Sequence, residues 1–159
     1  MAPSGRDRFR QAAEDLGVEV DITVYPAGTR TARDAAAAIG CEVAQIVKSL
    51  VFIADDGPVL ALVSGANRLD VAKLGAALGA GSVRKADADE VRAATGFAIG
   101  GTPPFGHPVL LSTVVDQDLL EHDVVWAAAG TPDACFPIPS ARLAELIGTV
   151  GDLAEPPPE

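Results

Sequence analysis

Ile46-Val47-Lys48-Ser49-Leu50-Val51-Phe52-Ile53-Ala54, then Asp55-Asp56-Gly57-Pro58, then Val59-Leu60-Ala61-Leu62-Val63-Ser64 is the stretch that decides the fold. Two β-rich apolar runs flank a turn signal, so residues 46–64 read as a hairpin. In the first run both alternating faces are apolar, which predicts a strand buried on both sides. One face carries Ile46, Lys48, Leu50 and Phe52. A lysine there either snorkels from the strand's start to solvent or sits in a cleft facing an anion, because an unpaired buried charge is costly.

Working outward, Ser4 is placed to cap a helix over about 5–16 that stops at Gly17. Val18, Val20, Ile22 and Val24 alternate with polar residues and predict a half-buried strand, broken at Pro26-Ala27-Gly28. Thr31 with Asp34 opens an alanine-rich helix ending at Gly40. A helical turn is expected at 42–45, before the hairpin. Beyond it, Asp70 and Asp87 cap helices stopping at Gly79 and Gly96, with a short strand at Ser82–Arg84 between them. Strands are expected at Val109–Leu111, Val124–Ala129 and Ala134–Ile138, with a short helix near 116–121. Ser140 is expected to cap a last helix to Ile147, before an edge strand within Thr149–Leu153. Asp116, Asp118, Glu121 and Asp123 read as a solvated acidic face. The fold class is therefore α+β, a single domain over 1–154 with a mixed, mainly antiparallel sheet flanked by helices. The Pro-rich residues 155–159 form a loose tail.

The chain has 159 residues, 48% of them hydrophobic and 21% charged, which suits one globular domain and excludes a disordered chain. No stretch approaches the roughly 20 apolar residues of a membrane span. The N-terminus is charged where a secretory signal is apolar, so the expectation is a cytoplasmic protein with no membrane partner. Cys41 and Cys135 are too few and too distant for a disulfide framework or a zinc site. Twenty-two acids against twelve bases give a net charge of −10. Eleven of those bases lie within residues 1–100, and only Arg142 lies beyond. That balance argues against a DNA duplex and accommodates a small contact such as the end of a tRNA.

Gly100-Gly101-Thr102-Pro103-Pro104-Phe105-Gly106-His107 is the second chemical signal. Its paired glycines either form a rigid turn or aim N–H groups at a developing oxyanion. It is neither a Walker A loop nor a dinucleotide fingerprint. His107 and His122 are the only histidines, and no Ser-His-Asp order or nucleophile elbow accompanies them. His122, between Glu121 and Asp123, reads as a solvated loop residue, and Cys135 as a buried thiol in a strand.

Four motifs in order carry a resemblance: Ile22-Thr23-Val24-Tyr25; Val47-Lys48-Ser49-Leu50; Val63-Ser64-Gly65 with Leu69-Asp70-Val71-Ala72-Lys73-Leu74; and Gly96 through His107. Together, over about residues 10–150, the chain resembles the YbaK/ProX-type aminoacyl-tRNA deacylases, related to the editing domain inserted in bacterial prolyl-tRNA synthetases. The resemblance implies a YbaK-like fold with a curved sheet. It also implies hydrolysis of the ester joining a wrong amino acid to the terminal adenosine of tRNA, with no cofactor and no metal. It places Lys48 as the essential lysine and Ser49 as the hydroxyl residue beside it. The substrate-facing glycine is Gly101, with Gly100 beside it, and Tyr25 is an aromatic pocket residue. Ser64, Thr102, Pro103 and His107 are expected around the substrate, and Cys135 stands where cysteine-specific members carry an aspartate.

On this reading Lys48 holds the terminal nucleotide or the ester, and N–H groups near Gly100-Gly101 stabilise the oxyanion. Water, activated by the substrate's 2′-hydroxyl, attacks, with His107 as a lesser candidate for general base. Small side chains are the natural targets, because a synthetase pocket gains only about 1–3 kcal/mol per methylene. Arg30, Arg33 and Arg68 are the expected tRNA contacts, and a synthetase is a further candidate partner. Two rivals stay open: a non-catalytic module binding aminoacyl-tRNA, an amino acid or a nucleotide in association with a synthetase, and a general esterase for small esters.

Overall fold

In the computed structural model, which describes residues 4–25, 31–55 and 57–156, the 46–64 segment forms the expected hairpin. Strands β2 (Val47–Ala54) and β3 (Gly57–Ser64) pair in antiparallel register from Val47 opposite Ser64 to Ala54 opposite Gly57. Asp55 turns the chain with φ 53°, and its carboxylate accepts from the N–H groups of Gly81 and Ser82 at 3.0 Å each. That contact steers β4 (Val83–Lys85) onto the outer edge of β2, where it covers only Phe52–Ala54. On the other side β3 pairs in parallel with β5 (Ser112–Asp116), and β5 with β8 (Val150–Gly151).

The remaining strands form a second sheet. The antiparallel pair β6 (Val124–Ala128) and β7 (Ala134–Pro139) is joined by β1 (Thr23–Val24) on the outer edge of β7. The mixed sheet expected from the sequence is thus divided into five and three strands, tied by a parallel bridge between Ile46 and Trp126.

Helix α1 (Gly5–Asp15) starts at a reciprocal capping box between Ser4 and Asp7. It drives Phe9 against Phe136 and Phe105, with ring centroids 4.9 and 5.4 Å away. These rings pack with Val47, Val51, Leu60 and Leu62 in the main core. The opposite face of the five-stranded sheet buries Phe52, Ala61, Val63 and Val114 beneath Leu74 of α3 (Val71–Leu78). The hairpin is therefore apolar on both faces because both are covered. Helix α2 (Ala32–Ile39), capped by the Thr31 hydroxyl on the Asp34 N–H, lays Ala35 and Ala36 on Ile46. Helices α4 (Ala88–Thr95) and α5 (Ser140–Ile147) complete the α+β domain.

Several expectations are corrected. Of the 18–24 alternation only Thr23–Val24 joins a ladder; Val18, Val20 and Ile22 pack on the core as extended chain. The alternation reports burial, not pairing. The strand expected at Val109–Leu111 starts instead at Ser112, and Leu110 is 99% exposed. Ser140 is the first residue of α5, not its cap, and its hydroxyl donates to the His122 carbonyl. Asp116 is not on a solvated face; it is wholly buried. The C-terminal segment is held as far as Glu155, whose N–H donates to the Arg68 carbonyl at 2.8 Å. Residues 157–159 lie outside the described residues.

Candidate active site

The partial pairing of β2 creates the site. Trp126 bridges Ile46 at one end and β4 begins opposite Phe52 at the other; among the described residues no strand pairs with 48–50 on that edge. Main-chain groups of successive strand residues project to opposite edges. The Ile46 carbonyl accepts from Gly65 on the β3 side, and the Val51 carbonyl accepts from Ala86 on the β4 side. Ser49, in phase with Val51, therefore turns its N–H and C=O to the open edge. A cleft of about 540 Å³ lies there.

Its walls come from three places. Thr31, Arg33 and Ala35 belong to the start of α2; Ile99, Gly100 and Thr102 to the glycine-rich loop; Trp126, Ala128 and Cys135 to the second sheet. Lys48 and Ser49 lie together on its floor. Lys48 is half-buried, and its ammonium donates to the main-chain carbonyl of Asn67 at 2.5 Å. Burial pushes its pKa below the usual lysine range; the Asp116 carboxylate opposes that, and Arg68 adds to it. The Ser49 hydroxyl is shielded from solvent and has no hydrogen-bond partner among the described residues. A buried hydroxyl in that condition costs free energy.

Of the residues singled out in the sequence, Lys48, Ser49, Gly100, Thr102, Cys135 and Arg33 come together in this cleft. Gly101 lies just behind its wall. The Gly101 N–H is committed to the Ala98 carbonyl at 3.0 Å, and its own carbonyl accepts from Gly130 at 3.0 Å. A Cβ there would stand 2.9 Å from the main chain of Thr131, so this position needs glycine for close packing. Of the paired glycine N–H groups, the one on Gly101 is therefore already engaged within the loop.

Other expected residues do not reach the cleft wall. Ser64 is buried under the 64–67 turn, its hydroxyl donating to Ala44 and its N–H to Asp116. Pro103 is buried within its loop, and its carbonyl lies 2.8 Å from His107 Nε2. His107 stands edge-on to Phe97 in a different groove, beside Asp7 and Gln11 of α1, where burial lowers its pKa. The geometry gives it no access to a substrate on Lys48. Tyr25 donates its N–H to the Asp133 carbonyl; its phenol pKa is raised by burial, then by the Cys135 and Cys41 thiols. Arg68 lines a separate hollow with Asn67 and Asp118, next to Lys48. Arg30 lies outside the described residues. Sequence reasoning passed over Trp126, Ile99 and Asn67, none of which belongs to a motif with its own chemistry.

Residues 26–146, which hold every wall of this cleft from Thr31 to Cys135, match the profile of the family described as "Aminoacyl-tRNA editing domain". The chain belongs to that family. A crystal structure described as a "putative trans-editing enzyme for prolyl tRNA synthetase" superposes on the editing domain with a TM-score of 0.90 and 48% identity, covering 98% of this chain and 99% of that one. A proline–tRNA ligase of Lactobacillus gasseri is 39% identical over 111 residues, 70% of this chain and 19% of the ligase. The "Putative Cys-tRNA(Pro)/Cys-tRNA(Cys) deacylase EbsC" of Enterococcus faecalis is 27% identical over 125 residues, 73% of this chain and 76% of that protein. The editing domain thus spans about a fifth of the length of the matched ligase and most of the smaller relatives.

Among the described residues, no group of three His, Cys, Asp or Glu side chains is arranged to hold a metal, and no helix is long and apolar enough to cross a membrane.

Proposed function

We propose that this protein is a trans-editing hydrolase that removes a wrongly attached amino acid from the 3′-terminal adenosine of tRNA. One observation carries the reading: in a chain of the editing family, one cleft is lined both by Lys48, whose ammonium is half-buried, and by Ser49, whose main chain faces the open edge of β2. Coverage of nearly the whole chain by the trans-editing relative supports action in trans.

Water adds to the ester carbonyl, the tetrahedral intermediate collapses, and the bond to the ribose oxygen breaks, leaving a free amino acid and the tRNA hydroxyl. Lys48 supplies a fixed positive charge for the terminal phosphate or the developing oxyanion. The open N–H of Ser49 orients the acylated ribose, and the Gly100 turn, with φ 84°, closes the opposite wall. With His107 in another groove, the proton of the attacking water is relayed, through the substrate's own 2′-hydroxyl or solvent, to the departing ribose oxygen. An aminoacyl ester is activated enough for positioning and charge stabilisation to suffice. Ala35, Val43, Ile46 and Ala128 make one flank of the cleft small and apolar, which suits a small side chain. Arg33 on the rim, with Arg30 and Arg68, is assigned to the tRNA backbone, and a synthetase is the partner that would release the substrate.

The test is a panel of tRNAs carrying alanine, cysteine, serine, threonine or proline, incubated with catalytic amounts of protein. Multiple turnovers on at least one misacylated tRNA support the reading. Stoichiometric binding without turnover makes the protein a binding module, and equal cleavage of short aminoacyl-nucleotides makes it a general esterase.

A further inference from the structure

The deepest acidic group among the described residues lies directly behind the cleft's lysine. Asp116, at the end of β5, is fully buried, yet among those residues it has no ion-pair partner, and it is not part of the cleft wall. Its two carboxylate oxygens gather three N–H donors. Oδ1 accepts from the Asp118 N–H at 3.0 Å, and Oδ2 from the Ser64 N–H at 3.1 Å and from Asn67 Nδ2 at 2.9 Å. Asn67 Nδ2 also reaches Asp118 Oδ2 at 2.8 Å. The Asn67 side chain is therefore clamped by two carboxylates, while its main-chain carbonyl accepts from the Lys48 ammonium. Ser64 and Asn67 bracket the turn that follows β3, so Asp116 pins both ends of it. Burying a carboxylate is costly, and these three hydrogen bonds offset that cost while capping the helical turn at Gln117–Glu121 and pinning the 64–67 turn.

We propose that Asp116 is a positioning residue for the deacylation: through Asn67 it fixes the main-chain carbonyl that holds the ammonium of Lys48, a residue of the cleft wall. The assignment rests on the editing reading above for the reaction, and on these contacts alone for the linkage. With Asn67 held, the hydrogen bond to its carbonyl favours one placement of the Lys48 ammonium before substrate arrives. Asp116 also faces Lys48 electrostatically and favours its protonated form, against burial and against Arg68. Arg68 is the other charged group that acts on the ammonium; Asp118 shares Asn67, and Arg33 lines the same cleft as Lys48.

Two variants test the linkage, Asp116→Asn and Asn67→Ala. The second leaves the carboxylate in place, so the test survives if the first fails to fold. The chain contains only three lysines, at 48, 73 and 85, so side-chain NMR of lysine-labelled protein follows Lys48 without any tRNA present. In Asp116→Asn the Lys48 titration midpoint moves to lower pH while Lys73 and Lys85 stay put, and the basic limb of the deacylation profile moves with it. In Asn67→Ala the kcat falls about tenfold, equivalent to about 1.4 kcal/mol, with KM little changed. A Lys48 midpoint unmoved in Asp116→Asn, or an unaltered kcat in a folded Asn67→Ala, overturns the proposal. If the midpoint moves but the wild type deacylates no tRNA, the editing reading falls and the Asp116–Asn67–Lys48 linkage stands.

Discussion

Replacing Ser49 with alanine separates what this residue does for the fold from what it does for the ligand. Its hydroxyl is sealed from solvent and lacks a partner among the described residues, a state that costs about 1–3 kcal/mol relative to a satisfied hydroxyl. Alanine removes the polar atom and leaves a gap of one oxygen, too small to offset the gain fully. Ser49→Ala is therefore expected to stabilise the domain by about 1 kcal/mol, which for a chain of this length raises the Tm by about 2–4 °C. Because the hydroxyl is shielded from the cleft, the same change takes no hydrogen bond from the bound ribose, and kcat/KM is expected to stay within about twofold of wild type. Urea unfolding and deacylation kinetics on the same preparation read both effects. Destabilisation by about 1 kcal/mol would refute the reasoning, because the hydroxyl would then have a partner in the protein. Greater stability with kcat/KM lowered about tenfold would instead place the hydroxyl at the substrate.

Lys48→Met is expected to abolish deacylation while the fold persists. Because the folded pKa of Lys48 lies below lysine's usual 10.5, the unfolded chain binds more protons between the two values. Wild-type stability should thus gain a component as pH rises toward 10.5 that the Met variant lacks, a difference read by urea titrations at paired pH values. Gly101→Ala forces a Cβ to 2.9 Å from Thr131 and is expected to cost about 1–3 kcal/mol in urea unfolding, with loss of activity from the displaced loop. Neutralising Arg30 and Arg33 together should weaken tRNA binding without unfolding the domain. The dependence of log K on log salt should also fall, by about one unit for each phosphate the variant no longer neutralises; filter binding across a salt series measures both.

The hairpin was legible because one stretch combined β-rich residues, a turn signal and apolar positions on both faces, and burial on both faces leaves few alternatives. Lys48 was legible for the same reason, as a charge where the pattern demanded an apolar residue. The 18–24 alternation misled because extended chain packed on a core has the same period as a paired strand, and hydrogen-bond partners leave no mark in the local sequence. Asp116 misled because it begins a run of acids, although it also follows Val114 and Val115 at the end of a buried strand. The second sheet's contribution was hidden: Trp126 reaches the cleft only because the sheets meet at Ile46, and those two residues are far apart in the chain. His107 looked chemical beside its glycines, yet the turn at Gly106 carries it into the groove along α1.

The most direct test of the account is single-turnover deacylation of the preferred misacylated tRNA by wild type and by Lys48→Ala, each first shown to be folded by circular dichroism and urea unfolding. Rapid release of the amino acid by wild type, with the variant at the rate of uncatalysed ester hydrolysis, is the predicted result. A folded Lys48→Ala protein that deacylates as fast as wild type would contradict it.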